Sequence, residues 1–188
     1  MTSVKKFWTA ILAIIALVII GYIQLNSEEQ LVVNYHSEEP TFKSKQMVTF
    51  AYEPTGQLAY KLTAEEVENF AEQKSTWFTQ PVLVIYDKTK AATWTVRSDK
   101  AKLTNNRQLY LYDNIVIDNL QVAPQIKQIL AQEAFLNMLT QDITSDKQVT
   151  IIGPTFQSKG EKMKGNLKEK SAKLLDKVQT IYLPQAHN

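Results

Sequence analysis

The chain has 188 residues and contains no cysteine. Disulfide bonds, thiolate nucleophiles and cysteine-ligated metals are therefore all excluded. Histidine is nearly absent as well, since His36 lies in a polar stretch and His187 lies next to the last residue. A serine without a histidine in the folded part lacks its usual base, and no carboxylates visibly converge on a metal site. We therefore expect a non-enzyme with no catalytic residue, no cofactor and no metal.

The chain also lacks a strong excess of charge of either sign. It contains 21 basic and 19 acidic residues, which give a formal net charge of +2. Lys5 and Lys6 are the only charged residues before residue 26, so removing these two leaves 19 basic and 19 acidic residues in 26–188. A neutral domain argues against nucleic acid as a partner, because binding to a phosphate backbone requires a basic surface.

One long stretch lacks charge altogether. Residues 7–23, FWTAILAIIALVIIGYI, carry no charged or strongly polar side chain. A helix needs about 20 such residues to cross the hydrocarbon core of a bilayer. Because Lys5 and Lys6 precede the stretch, the positive-inside rule predicts a cytoplasmic N-terminus over 1–6 and a single transmembrane helix over 7–25. The bulk of the chain is then expected outside the cytoplasm.

A cleaved signal peptide is the competing interpretation of this stretch. The apolar core of a signal peptide is usually about 7–15 residues long and is followed by a small-x-small cleavage site. Here the apolar core is longer, and Gly21-Tyr22-Ile23-Gln24 offers no such site. The sequence therefore favours an uncleaved membrane anchor. A polar linker over 26–40 follows it, then a β domain over 41–184 and a frayed tail over 185–188.

Glycine is scarce, with five residues in the chain, and two of them mark predicted turns. Gly56 lies in the stretch Glu53–Gln57, between two predicted strands of a hairpin, 47–52 and 58–64. Gly153 precedes a proline in a second predicted turn. We expect the backbone conformation to require glycine at both positions, so a branched side chain at either one should distort the adjoining edge of the sheet.

A weak internal repeat organises the β domain around the strand-rich stretch Trp94–Asn119. When Val67, Ala101, Ala134 and Ala172 are aligned, each is followed by an apolar position, a polar turn and an apolar strand. The four anchors are 34, 33 and 38 residues apart. A repeat of this length indicates stacked supersecondary units that share one continuous core.

Local propensity disagrees with the repeat in three segments, 64–73, 126–135 and 169–178. Each is rich in helix-forming residues and would suit an amphipathic helix. The repeat aligns each of them with Trp94–Leu103, which has the composition of a strand. We therefore predict strands there, since sheet context often overrides local propensity. The predicted fold class is all-β, with a mostly antiparallel sheet.

The long apolar strands have two interpretations that the residues alone leave open. They are either a closed, packed core, which the residues favour, or an apolar interior that holds acyl chains. A sheet that is not closed also has edges, and an edge strand can pair with a partner's edge. The predicted C-terminal edge strand is Val178–Leu183, with Val178, Thr180 and Tyr182 as the candidate residues of the partner edge.

Several strings, read in order along the chain, resemble the LptC family of lipopolysaccharide-export proteins. These strings are PTFKS (40–44), YEPTGQLAYKL (52–62), WFTQPVL (77–83), WTVRSDKAKLTNNRQLYLYDNI (94–115), LTQDITSDKQVTIIG (139–153) and MKGNL (163–167).

The resemblance implies a twisted antiparallel β-jellyroll with an open, V-shaped groove, held at the inner membrane of a Gram-negative cell by one helix. It implies lipopolysaccharide transport in outer-membrane biogenesis, with the bulk of the chain in the periplasm. The implied partners are lipopolysaccharide, the membrane, the ABC transporter subunits LptF and LptG with LptB, and the periplasmic jellyroll LptA. The N-terminal strands would face the transporter, and the C-terminal strands would dock on LptA.

Strand alternation, the repeat and the resemblance together suggest which residues line the lipid groove. The predicted groove residues are Met47, Phe50, Phe78, Leu83, Ile115, Phe156 and Ala172. A Phe78→Asp substitution is expected to block lipid binding and to leave the fold intact. The alternative function is a membrane-tethered scaffold whose β domain binds only proteins. An envelope hydrolase is a third possibility, but it would need carboxylates converging in the groove.

Overall fold

The computed structural model describes residues 39–182, and these residues form one antiparallel sheet of 11 strands. The all-β prediction is confirmed. The predicted N-terminal segment 1–6, the helix over 7–25, nearly all of the linker and the tail lie outside the described residues. The strands are β1 (Phe42–Tyr52), β2 (Leu58–Phe70), β3 (Ser75–Thr79), β4 (Val82–Tyr86), β5 (Ala92–Arg97), β6 (Lys100–Thr104), β7 (Gln108–Asn119), β8 (Gln128–Asn137), β9 (Asp142–Ile152), β10 (Phe156–Asn166) and β11 (Ser171–Tyr182).

The segments rich in helix formers are largely strands, as the repeat predicts. They fall mainly in β2, β8 and β11. In β8 the side chains of Ile129, Ala131, Ala134 and Leu136 are buried, whereas those of Gln132 and Glu133 are exposed. The gain from burying alternate side chains between neighbouring strands outweighs the helix propensity of this segment.

Two pairs of short strands behave as broken long strands. β3 and β4 both pair antiparallel with β2 and are separated by Gln80 and Pro81. β5 and β6 both pair antiparallel with β7 and are separated by Ser98 and Asp99. Proline cannot donate a ladder hydrogen bond, which explains the interruption at Pro81.

Most of the long strands are also interrupted near their middle. Positive φ values occur there at Gln46 (53°), Asn114 (47°), Lys162 (56°) and Lys177 (51°). The pairing register shifts along the same line across the sheet, in β7, β8, β9 and β10. Bulges of this kind bend a strand and increase its local twist. We call this line of interruptions the crease.

The crease divides the sheet into two leaves that pack face to face. The β4–β5 leaf contains β4, β5 and the strand halves paired with them, and the β3–β6 leaf contains β3, β6 and the opposite halves. The Trp94 indole N–H, in the β4–β5 leaf, donates a hydrogen bond of 2.8 Å to the carbonyl of Leu167, at the far end of the β3–β6 leaf. The Tyr60 hydroxyl similarly donates to the carbonyl of Met138.

The repeat reflects one row of side chains that crosses the β3–β6 leaf. Val67 pairs with Phe78, Phe78 with Ala101, Ala101 with Leu111 and Leu111 with Ala134. The first three anchors of the repeat therefore lie in one buried row. Ala172 does not extend the same row. The row reaches β10 at Met163, which pairs with Leu174, whereas Ala172 pairs with Gly165. The offset of two residues keeps Ala172 on the inner face.

Replacing Trp94 by phenylalanine should destabilise the fold, because the Leu167 carbonyl loses its 2.8 Å hydrogen bond and keeps only a longer one, of 3.3 Å, from the Lys170 N–H. We expect a loss of about 2 kcal/mol in the free energy of unfolding of the full chain, combining the lost hydrogen bond with a smaller ring in the core. Urea unfolding followed by circular dichroism measures it. Trp77→Phe is the matched control, since the Trp77 indole N–H makes no hydrogen bond within residues 39–182. Equal losses in the two variants would contradict the proposed closure.

Candidate functional site

The centre of the space between the leaves is sealed. The side chains of Phe78, Leu83 and Ile115 are 4%, 2% and 1% exposed. All three belong to a continuous apolar core that includes Trp94 from the β4–β5 leaf. These three predicted groove residues therefore face inward, but they pack against protein in this arrangement. Lipid contact at these three positions would require the leaves to separate.

The depth of Phe78 corrects the expectation that Phe78→Asp would leave the fold intact. Its neighbours across the sheet are Val67 and Ala101, and both are buried apolar residues. A carboxylate placed there would be desolvated without a counter-charge, which strongly disfavours the folded state. If the Phe78→Asp variant lost lipid binding, the cause would therefore be unfolding and not the loss of a contact between Phe78 and the lipid.

Phe50 faces outward, so its assignment to the inner surface is wrong. It pairs with Lys61, whose Nζ lies 5.9 Å from the centroid of the phenylalanine ring. Met47 pairs with Ala64 and belongs to the inner face. The two residues are three positions apart in an extended strand, so their side chains point to opposite faces. The only positive φ in β1 is at Gln46, before both residues, and therefore does not restore a common face.

The inner surface emerges from the core at the two ends of the sheet. At the first end, Phe42 is exposed and Met47 is half-buried on β1. At the other end, Phe156 and Ala172 pack partly buried against the core. The predicted groove residues that meet open space are thus Met47, Phe156 and Ala172. The apolar interior is closed in the middle and accessible at its ends.

The residues predicted for the partner edge also have inward side chains. Thr180 pairs with Ser158 and Tyr182 pairs with Phe156, and Ser158 itself pairs with buried Ile151. Val178 lies two residues before Thr180, on the C-terminal side of the bulge at Lys177, and is therefore on the same face as Thr180. Tyr182 is 78% exposed. One stretch of β11 therefore presents its backbone at the edge and alternate side chains to the inner surface.

Both terminal strands have a free edge within residues 39–182. β1 pairs only with β2, and β11 pairs only with β10. The outward N–H and C=O groups of such strands can hydrogen-bond to a strand of another chain. The sheet can therefore be extended at either end by a partner of the same architecture.

Exposed ion pairs tie each terminal strand to its neighbour. Lys43 and Glu68 are 2.7 Å apart across β1 and β2, and their hydrogen bond raises the pKa of Lys43. Lys162 and Asp176 are 2.9 Å apart across β10 and β11, and this contact raises the pKa of Lys162.

The two glycines chosen from the sequence have different structural reasons. Gly56 has a φ of 80° in the turn, where its N–H donates to the carbonyl of Glu53 at 2.8 Å. Gly153 is not among the residues with positive φ. A Cβ at that position would lie only 2.1 Å from Cε1 of Phe156, so glycine is needed for space. The ring of Phe156 lies against the backbone at the β11 end of the inner surface.

A third glycine shapes the same end and was not chosen from the sequence. A Cβ on Gly165 would lie 2.6 Å from the carbonyl oxygen of Ser171 and 3.2 Å from the Cα of Ala172. Backbone atoms cannot rotate away as a side chain can. Gly165 therefore sets how closely the start of β11 approaches β10. The cross-strand neighbour of a glycine is not visible from its own sequence context.

Neither a metal cluster nor a membrane helix is found in the described part of the chain. Residues 39–182 contain no group of three or more metal-ligating side chains, and they contain no helix long and apolar enough to span a membrane. The predicted anchor lies before residue 39 and is outside this region.

Comparison with known proteins identifies the family. Residues 9–183 match the family described as "Lipopolysaccharide-assembly, LptC-related". The chain belongs to the LptC-related family. It is 42% identical over 182 residues to the lipopolysaccharide export system protein LptC of Escherichia coli K12, a match that covers 97% of this chain and 95% of the relative. It is 32% identical over 197 residues to the LptC protein of Haemophilus influenzae, with 93% of each chain covered.

A solved structure shows the same fold despite little sequence similarity. LptH from Pseudomonas aeruginosa is described as the LptA-homologous periplasmic component of the lipopolysaccharide transport device. It superposes with a TM-score of 0.53 at 8% identity, covering 66% of this chain and 95% of LptH. The folded sheet is therefore an LptA-like β-jellyroll, as the resemblance implied.

The close approach of Gly153 to Phe156 can be tested by a double-mutant cycle. Gly153→Ala should lower the free energy of unfolding by about 1–3 kcal/mol, because the ring must move from its packed position. In a Phe156→Ala background the same change should cost much less, since the obstructing ring is gone. Urea unfolding of the four full-length proteins gives the coupling. Additive effects would show that backbone conformation, and not the ring, requires glycine at position 153.

Proposed function

We propose that this chain is a non-enzymatic lipopolysaccharide carrier of the envelope export bridge. It accepts lipopolysaccharide from an inner-membrane ABC transporter and passes it to a periplasmic jellyroll partner. One observation carries the proposal: the apolar inner surface emerges at the same two ends of the sheet where β1 and β11 have free edges. Membership of the LptC-related family supports it.

The open ends suit acyl chains, which gain from contact with apolar surface. Each methylene removed from water contributes roughly 0.8 kcal/mol. At the β11 end the available surface comprises Phe156, Ala172, Val178 and Tyr182. The half-buried Met47 offers the corresponding contact at the β1 end.

Edge pairing provides a path from one protein to the next. If a partner strand pairs with β11, the two sheets become continuous, with strands about 4.8 Å apart. The inward side chains of Thr180 and Tyr182 then lie beside the inward side chains of the partner strand. An acyl chain that moves across this junction exchanges one apolar contact for a similar one, so the net change in free energy per step is small.

The two ends are assigned to different partners. The β1 end, which follows the proposed anchor over 7–25, faces the transporter subunits LptF and LptG, and the β11 end docks on LptA. The anchor holds the chain in the inner membrane, with residues 1–6 in the cytoplasm and the β domain in the periplasm. ATP hydrolysis by LptB drives the movement, so this chain needs no catalytic residue of its own.

Adjacent residues on β11 give a sharp test, because they face opposite sides of one strand. A photo-crosslinking residue at Tyr182 should form an adduct with lipopolysaccharide, whereas the same residue at Ile181 should form little. Both side chains are well exposed, at 78% and 65%, so accessibility alone does not separate them. The full chain in detergent is irradiated with lipopolysaccharide and blotted for the adduct.

Two further arms complete this test. Adding the periplasmic jellyroll partner in excess should reduce the adduct at Tyr182, because the lipid moves on. Equal adducts at Tyr182 and Ile181 would contradict inner-face binding. No adduct at Tyr182 or at Met47, with native circular dichroism and with partner binding intact, would favour the tethered scaffold that binds only proteins.

A further inference from the structure

The outer face of the β3–β6 leaf carries an aromatic surface that the carrier function above does not use. Its members lie on adjacent strands and are linked by direct cross-strand pairing: Trp77 with Lys102, Lys102 with Tyr110, and Tyr110 with Phe135. Tyr112 lies two residues beyond Tyr110 on the same face. We call these five residues the outer platform. Their inward neighbours Phe78, Ala101, Leu111 and Ala134 are buried, so the platform is on the opposite side of the sheet.

The rings of the outer platform are ordered against each other. Trp77 and Tyr112 stack with centroids 5.7 Å apart and an interplanar angle of 22°. Tyr110 and Phe135 are 5.2 Å apart and tilted by 57°. The Lys102 ammonium lies 5.4 Å from the centroid of Trp77. All five side chains are half-buried, so they form a partly exposed surface in the middle of the leaf.

Lysines without carboxylate partners flank the rings. Lys100 and Lys102 form no ion pair within residues 39–182. On the other side of Phe135, the row continues through Thr144 to Lys164, which pairs directly with Lys173. Neither of these two lysines has an ion-pair partner in the described residues either. Like charges placed directly opposite each other destabilise a sheet, and a bound anion would relieve the repulsion.

Sheet stability alone explains only part of this arrangement. Cross-strand aromatic pairs do stabilise a sheet. That accounts for the ring contacts, but not for unpaired lysines on both sides of them. By contrast, Lys43 and Lys45, on the same outer face, are both paired with glutamates at 2.7 and 3.5 Å. Four lysines along this row, Lys100, Lys102, Lys164 and Lys173, thus have no carboxylate partner within residues 39–182.

We propose that the outer platform binds the phosphorylated saccharide head of lipopolysaccharide. The proposal rests on the carrier function above and adds a second contact to it. The face of a pyranose ring is a flat array of C–H groups that stacks on aromatic rings, while its phosphates are attracted to the lysines. The Glu133 carboxylate, which lies opposite Tyr112 on the neighbouring strand, can accept hydrogen bonds from sugar hydroxyls.

An anionic membrane surface fits the platform less well. A protein that lies on a bilayer inserts apolar side chains into the interface, whereas these rings are half-buried within a sheet face. The outer face of this leaf also carries Glu133, which has no ion-pair partner within residues 39–182, and an extended anionic surface would repel it. An elongated ligand with both neutral hydroxyls and discrete phosphates matches this mixed surface better.

Tryptophan fluorescence of the full chain tests the proposal. In a Trp8→Phe background, only Trp77 and buried Trp94 contribute to the signal. The probe is fully deacylated lipopolysaccharide, which retains sugars and phosphates but has no acyl chain. We expect a saturable fluorescence change. The affinity should fall at least tenfold when Lys100 and Lys102 are both replaced by glutamine, variants that keep Trp77. Replacing the glutamate-paired Lys43 and Lys45 by glutamine should leave the affinity unchanged.

The outcomes separate this proposal from the carrier function. A lipopolysaccharide adduct at Tyr182 without any saturable response to the deacylated probe would overturn the outer platform and leave the carrier intact. A saturable response to the deacylated probe without a lipopolysaccharide adduct at Tyr182 would support the outer platform and contradict the inner-face carrier. Equal weakening by the two pairs of lysine substitutions would reduce the binding to general charge and contradict the platform. A response to vesicles of anionic phospholipid that matches the response to the probe would assign the surface to the membrane instead.

Discussion

The structure depends on the bend that each long strand makes at the crease. A flat sheet of this length would have one apolar face open to water along its whole width. The bend turns that face onto itself, so both halves of each strand bury alternate side chains in the same space. In β7, for example, Leu111 on one side of the bend and Ile115 on the other are both buried. The Trp94 and Tyr60 hydrogen bonds then hold the leaves together at the ends away from the crease.

This arrangement explains how a closed core and a carrier surface occur in one domain. Strands in the middle of the sheet have neighbours on both edges and a facing leaf, so their inner side chains are sealed. β1 and β11 each lack one neighbour, so their inner side chains stay accessible and their backbone groups stay available. Lipid contact and partner pairing are thus two consequences of being a terminal strand. The outer platform is different, because it is on the rigid middle of a leaf, where docking at the edges does not cover it.

Sequence reasoning predicted the features that depend on short-range pattern. The repeat correctly overruled helix propensity in β8, and the turn at Gly56 followed from its neighbours. Strand alternation placed Met47 and Ala172 on the inner face, but it was misapplied to Phe50, which is three residues from Met47. The residues favoured a closed, packed core, but the positions of Phe78 and Leu83 at its sealed centre were not predictable, because they depend on the crease and on which leaf faces which. The outer platform was missed for a similar reason, since its rings come from strands joined only by long-range pairing.

Hydrogen exchange of the full chain, measured by mass spectrometry with and without lipopolysaccharide, tests the central claim that the middle is closed and the ends receive the lipid. Without lipid, amides of β7 and β8 should exchange slowest and those of β1 and β11 fastest. Lipopolysaccharide should slow exchange in β1 and β11 and leave β7 and β8 unchanged. Faster exchange in β7 and β8 on adding lipid, with no protection of β11, would contradict this account, because it would mean that the leaves separate and the lipid enters the core.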